Sequence, residues 1–234
     1  MCTVVIRVPE DAAQPIRLLA VRDEDPLRPW NPLGARWPER PQLTGVQDRL
    51  AGGAWLAAEG GRLAVLLNRA GAPLLPSSAI TSRGGIVLDA VGGRLPGPHP
   101  TTLGFNLVSV AGGRAELVSW DGDRLSREVM PAGTHMIAHD GLDDRATPRI
   151  ATWRDAFAAA PAEGDGAWWE PWLAVLTRST TLSPEDDRAI IRDNRVHGYP
   201  TQSLLACVTS VTPTTADIRY AELETAGRWN PLQF

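Results

Sequence analysis

Over the first two-thirds of the chain, short apolar runs alternate with polar or Gly/Pro breaks, and this pattern predicts β-strands. Runs at 4–8 and 18–22 are separated by Pro9-Glu10-Asp11 and Pro15, which predicts two strands joined by a hairpin or wide turn. Runs at 54–58 and 62–67 flank Glu59-Gly60-Gly61, a compact hairpin signal. Three further runs, 105–110, 115–120 and 125–130, are punctuated by Gly112-Gly113 and Asp121-Gly122-Asp123. They predict an antiparallel meander that ends with 135–138. The segment 28–41, rich in Pro and carrying Trp30 and Trp37, is expected to be an ordered irregular loop.

Helical patterns cluster elsewhere, at 83–91, 149–160, 168–178 and 184–193. The last has Ser183 as an N-cap, Pro184 at the first helical position, and Asp186 and Asp187 in the first turn. Strand runs at 203–212 and 217–223, joined through Pro213, close the chain. Strands, then helices, then strands predict an α+β layered domain spanning 1–234.

Composition narrows the function classes. No segment approaches the roughly 20 apolar residues that cross a bilayer, so the chain is not expected to span a membrane. All 23 basic residues are Arg, both signs are interspersed, and the net charge is −4, which leaves no electrostatic footprint for nucleic acid. The residues after Met1 lack the basic-then-apolar layout of a signal peptide. Two cysteines, Cys2 and Cys207, make no disulfide framework, so a reducing cytoplasm is the expected location.

Cys2 carries the sharpest chemical signal. Methionine aminopeptidase removes Met1 when the next side chain is small, and the mature chain would then begin with a residue bearing both a thiol and a free α-amine. The amine titrates near pH ~8 and the thiol near ~8.5, so one residue supplies a nucleophile and its base. Arg22-Asp23-Glu24 ends the second strand. If strands one and two pair, that triplet reaches the edge where Cys2 stands. There a guanidinium would favour the thiolate and a carboxylate would orient the amine. Asn68 ends the strand 62–68, a rigid place for an oxyanion donor, although a strand-terminal Asn also starts turns.

Other polar clusters point less clearly. His135 and His139 would share a strand face but lie about 13 Å apart, from a rise of ~3.3 Å per residue, too far for one Zn²⁺ on a straight strand, and no metal is expected. Among nine Trp, Trp168, Trp169 and Trp172 sit on one predicted helix. Core packing, an apolar ligand pocket or a homodimer face would each use them.

The order Met1-Cys2, then Arg22-Asp23-Glu24, Gly52-Gly53-Ala54-Trp55-Leu56, Leu67-Asn68 and Gly104-Phe105-Asn106-Leu107 resembles the NRDE family. That family is named for its Asn-Arg-Asp-Glu motif and includes the transport and Golgi organisation 2 proteins. The resemblance implies a four-layer αββα sandwich of the N-terminal-nucleophile hydrolase type. It extends distantly to the choloylglycine hydrolase and penicillin V acylase group, whose nucleophile is an N-terminal Cys. Carried over, it implies Cys2 as nucleophile, Arg22 and Asp23 as its supports, and Asn68 as an oxyanion donor beside a backbone N–H. The chain departs from the pattern at three places. Val21 replaces the first Asn of the motif, His139 stands where relatives tend to place Asn, and Gln202 where they often carry Arg. His139 and Gln202 are therefore expected as accessory site residues.

The resulting expectation is a Cys-dependent amidohydrolase acting on a small non-peptide amide, with no cofactor. Members of the family are also linked to haem, lipid and acyl-CoA handling. A non-catalytic carrier for haem or an acyl-lipid, with an apolar pocket lined by Trp and His135, His139 or His197 at the iron, is the alternative.

Overall fold

The computed structural model describes residues 2–164 and 166–234; Met1, whose removal the sequence predicts, lies outside the described residues. Among the described residues, twelve strands form two antiparallel sheets, with helices on both outer faces. The first sheet runs β10-β1-β2-β11-β12, built from β1 (Thr3–Val8), β2 (Ile16–Glu24), β10 (Gly133–Ile137), β11 (Gln202–Val211) and β12 (Ala216–Glu222). The second runs in chain order through β3 (Trp30–Gly34), β4 (Thr44–Asp48), β5 (Ala54–Glu59), β6 (Arg62–Asn68), β7 (Phe105–Ala111), β8 (Arg114–Trp120) and β9 (Leu125–Val129). Helix α1 (Gly84–Val91) lies on the second sheet, and α2 (Pro148–Ala159) and α3 (Glu170–Ser179) cover the first. The α+β, αββα layering expected from the sequence is what the chain adopts.

Period-two alternation explains the layers. On β1, Val4 and Ile6 enter the core between the sheets, whereas Val5 points to the helices. On β2, Ile16, Leu18 and Ala20 take the first direction and Leu19 and Val21 the second. Strand β6 does the same, with Leu63, Val65 and Leu67 between the sheets and Ala64 and Leu66 beneath α1. Both faces are covered, so these strands read as nearly continuous apolar runs.

Several expectations are corrected. The meander ends at β9; Gly133, at φ 135°, begins a strand that crosses to the other sheet and pairs with β1, Val8 facing Gly133. The segment 28–41 contributes β3, and β4 went unread because Gly45 and Gln47 break its apolar pattern. Residues 184–193 form turns rather than a helix. Arg192 reaches back to the Asp186 carbonyl and the Asp187 carboxylate, and Ala189 N–H donates to Asp186 O, so local side-chain bonds outcompete the helical ladder. Trp168 and Trp169 precede α3 and pack at its start; Trp168, Trp172 and Phe157 meet edge to face inside the helix-side core. No helix is long and apolar enough to cross a membrane among the described residues.

Candidate active site

One end of the sandwich gathers the start of β1, the end of β2, the start of β5, the end of β6 and the start of α1. A pocket of about 240 Å³ opens there, lined by Cys2, Arg22, Asp23 and Asn68 among others. The β1–β2 register, Thr3 opposite Val21, brings Cys2 beside Arg22 as the sequence expects. Two sequence motifs thus meet through one hairpin.

The triplet splits across the sheet. Cys2 belongs to the core between the sheets, and alternation carries Arg22 to the same side. Asp23 turns to the helix side. Its carboxylate Oδ1 accepts 2.6 Å from Ser203 Oγ, and Cys2 Sγ lies 3.6 Å from its backbone carbonyl. Arg22 is 2% exposed, lies 3.6 Å from Glu24 as an ion pair and stacks over Trp30. Its Nη1 has no hydrogen-bond partner among the described residues.

Burial and the Asp23 charge push the Cys2 thiol above its ordinary range, against a smaller pull from the chain's amine and Arg22. The described site therefore holds a neutral thiol, 4% exposed, beside a buried guanidinium. Cys207, on β11, is wholly buried and its thiol is also raised, by burial alone apart from a weak opposing pull by Arg22.

Asn68 ends β6 opposite Phe105, lines the pocket, and forms no side-chain hydrogen bond among the described residues. The amide that is fully used is Asn106, on β7. It donates to the carbonyls of Ala138 (3.0 Å) and Asp140 (2.7 Å) and so fixes the turn that carries His139.

His139 does not line this pocket. Its Nε2 lies 3.2 Å from Asp140 Oδ2, and burial, opposed by Asp140, holds its pKa below the usual histidine range with help from Arg149 and Arg192. Gln202 faces Glu24 in the β2–β11 register, yet its Nε2 donates 3.0 Å to Asp193 and it lines a separate cavity with Ile191 and Trp229. Cys2, Arg22, Asp23 and Asn68 thus line one pocket, and His139 and Gln202 do not line it.

Sequence reasoning missed the rest of the wall. Arg83, at the start of α1, donates 2.8 Å to Gly104 O, and Arg28 pairs with Asp48 at 2.5 Å. On the helix side, Arg149, 2% exposed, donates 2.9 Å to Thr3 Oγ1; burial and Arg192 lower its guanidinium to about 10. No local motif flags these arginines, because their place depends on how α1 and α2 pack.

The family described as Transport and Golgi organisation 2 matches residues 1–205. The chain belongs to that family. No curated protein matches it. Among solved structures it is similar to a Caenorhabditis elegans N-acylethanolamine-hydrolyzing acid amidase (NAAA) ortholog, with a TM-score of 0.56 and 10% identity over 93% of this chain and 100% of that one. At that identity the likeness shows a shared N-terminal-nucleophile hydrolase fold.

Proposed function

We propose that the protein is a Cys-dependent N-terminal-nucleophile amidohydrolase acting on a small non-peptide amide. The observation that carries this reading is the convergence of Cys2, Arg22 and Asn68 on one pocket of about 240 Å³ in a hydrolase-like fold. With Met1 removed, the Cys2 α-amine takes the thiol proton, and the thiolate, supported by Arg22, attacks the amide carbonyl carbon. Asn68 donates to the resulting oxyanion. The ammonium returns the proton to the leaving amine as the C–N bond breaks, giving a thioester. Water, deprotonated by the same amine, then attacks the thioester, releasing the acid and restoring the thiol. Asp23, held by Ser203, orients the amine throughout.

The carrier alternative has less support. Both ring nitrogens of His135 are engaged, Nδ1 with Asp143 (2.7 Å) and Nε2 with the Pro131 carbonyl (2.9 Å). His197 Nε2 meets the Glu185 carbonyl at 3.1 Å, and Trp168 and Trp172 fill core rather than line a cavity wall. The engagement of His135 and His197 and the packing of the Trp cluster give a haem site less support than the Cys2 pocket gives the hydrolase reading.

Intact-mass measurement is expected to find Met1 absent. On any amide substrate found by screening, Cys2→Ala should abolish turnover while leaving binding in place, because it removes a covalent step and not the pocket. Asn68→Ala should cost about 10²–10³ in kcat. Turnover that survives Cys2→Ala would refute the reading.

A further inference from the structure

Three guanidiniums, Arg22, Arg28 and Arg83, and three carboxylates, Asp23, Glu24 and Asp48, line the Cys2 pocket, but they are not equally placed to meet a ligand. Arg28 is committed to Asp48 at 2.5 Å, and Asp23 looks to the helix side, where Ser203 holds it. One carboxylate, Glu24, is left with two arginines. It lies 3.6 Å from Arg22 and also acts on the charge of Arg83. Arg83 has no ion pair among the described residues, and its hydrogen bond goes to a neutral carbonyl. It stands at the N-cap position of α1, whose first turn carries no acidic side chain and whose helix dipole places positive charge at that end. The buried Arg22 Nη1, on the same wall, lacks a hydrogen-bond partner among the described residues. In the resting thiol and in an acyl-enzyme thioester the sulfur is neutral and adds no negative charge; with the Asp23 carboxylate held by Ser203 on the helix side, three guanidiniums are left around the pocket with two carboxylates, Glu24 and Asp48.

We propose that the pocket recognises a carboxylate on the substrate, with Arg83 as the specificity-determining residue, so that the amide hydrolysed is a small anionic one. The inference rests on the nucleophile reading above and adds the substrate class to it. Apolar contact comes from Trp55, Leu66 and Ile80 on the remaining wall, which suits a short acyl group rather than a second charge. Arg83 is held in place by Gly104 and by the start of α1, so a rigid donor meets the carboxylate.

Paired alkylating reagents test this without a known substrate. Iodoacetate and iodoacetamide both react by thiolate attack on the methylene carbon with loss of iodide, and they differ in the carboxylate. The ratio of their rates at Cys2 cancels any change in thiol pKa and reads the preference for an anion. For a chain that begins at Cys2, the ratio should exceed that of free cysteine by roughly tenfold at low salt and fall as salt rises. Arg83→Gln should bring it near the free-cysteine value, and Arg83→Lys should restore part of it. In parallel, benzoate titrated against the Cys2→Ser chain by saturation-transfer NMR should bind saturably, and Arg83→Gln should remove that binding. A ratio indifferent to Arg83→Gln in a chain with a native circular-dichroism spectrum overturns the proposal. Where Cys2 resists both reagents the nucleophile reading fails instead, and benzoate binding alone decides for or against the anion site.

Discussion

Ser203 Oγ donates a 2.6 Å hydrogen bond to Asp23 Oδ1 across the β2–β11 pair, and it accepts 2.8 Å from the backbone N–H of Arg192. Ser203 is fully buried. The bond ties the carboxylate beneath Cys2 to the segment after α3. Removing the hydroxyl takes a donor from a buried carboxylate and a partner from a buried amide. Ser203→Ala should therefore lower stability by about 1–3 kcal/mol in urea unfolding and slow Cys2 alkylation. An unchanged unfolding midpoint would show that the bond contributes nothing.

Gly53 fixes the far wall. A Cβ there would collide with the backbone carbonyl of Gly84, the first residue of α1, so the start of the helix can sit against β5 only because residue 53 has no side chain. Gly53→Ala should push α1 and Arg83 outward, costing about 1–3 kcal/mol from overpacking. Thermal unfolding measures the cost. Full stability would mean that α1 shifts freely and that the pocket wall is not rigid.

The pH dependence of stability is set in part by His135 and Asp143. The Asp143 hydrogen bond, against burial, raises the His135 pKa, and both ring nitrogens face acceptors. Burial raises the Asp143 carboxyl, but bonds from His135 and the Met136 N–H hold it below its usual range. The histidine's contribution is full below its ordinary value near pH ~6.5 and is lost as pH rises through the raised value. The carboxylate's contribution is present above about pH 4 and is lost as pH falls through the depressed value. Asp143→Asn keeps a residue tolerant of the φ of 53° found there. It should cost about 1.5–3 kcal/mol at pH 5.5 and less at pH 8.5. An equal cost at both values would contradict a charge-assisted clamp.

Strands were legible where burial on both faces made an unbroken apolar run, as in 62–67 and 203–212. Helix α1 and both hairpins came from the same reading. The Ser183-Pro184 signal misled because it describes a helix start only, whereas the fate of the segment was decided by Arg192, Asp186 and Asp187 beyond the first turn. At the site, Cys2 and the Arg22-Asp23-Glu24 triplet could be joined by reasoning about one hairpin. Arg83 could not, since it reaches the pocket through the contact of Gly53 with Gly84. Gln202 was expected at the site by resemblance; the Asp193 carboxylate draws its amide the other way.

The most direct test compares the two thiols. Both are raised by burial and both feel the charge of Arg22, but Cys2 lines the pocket shared with Asn68 and Arg83 and, once Met1 is gone, carries its own α-amine. Peptide mapping after iodoacetamide treatment at pH 7.5 gives both rates in one sample. Cys2 of a chain beginning at that residue should label at least about tenfold faster than Cys207, and retention of Met1 should erase most of the difference. Equal rates, or faster labelling of Cys207, would contradict an activated nucleophile at Cys2.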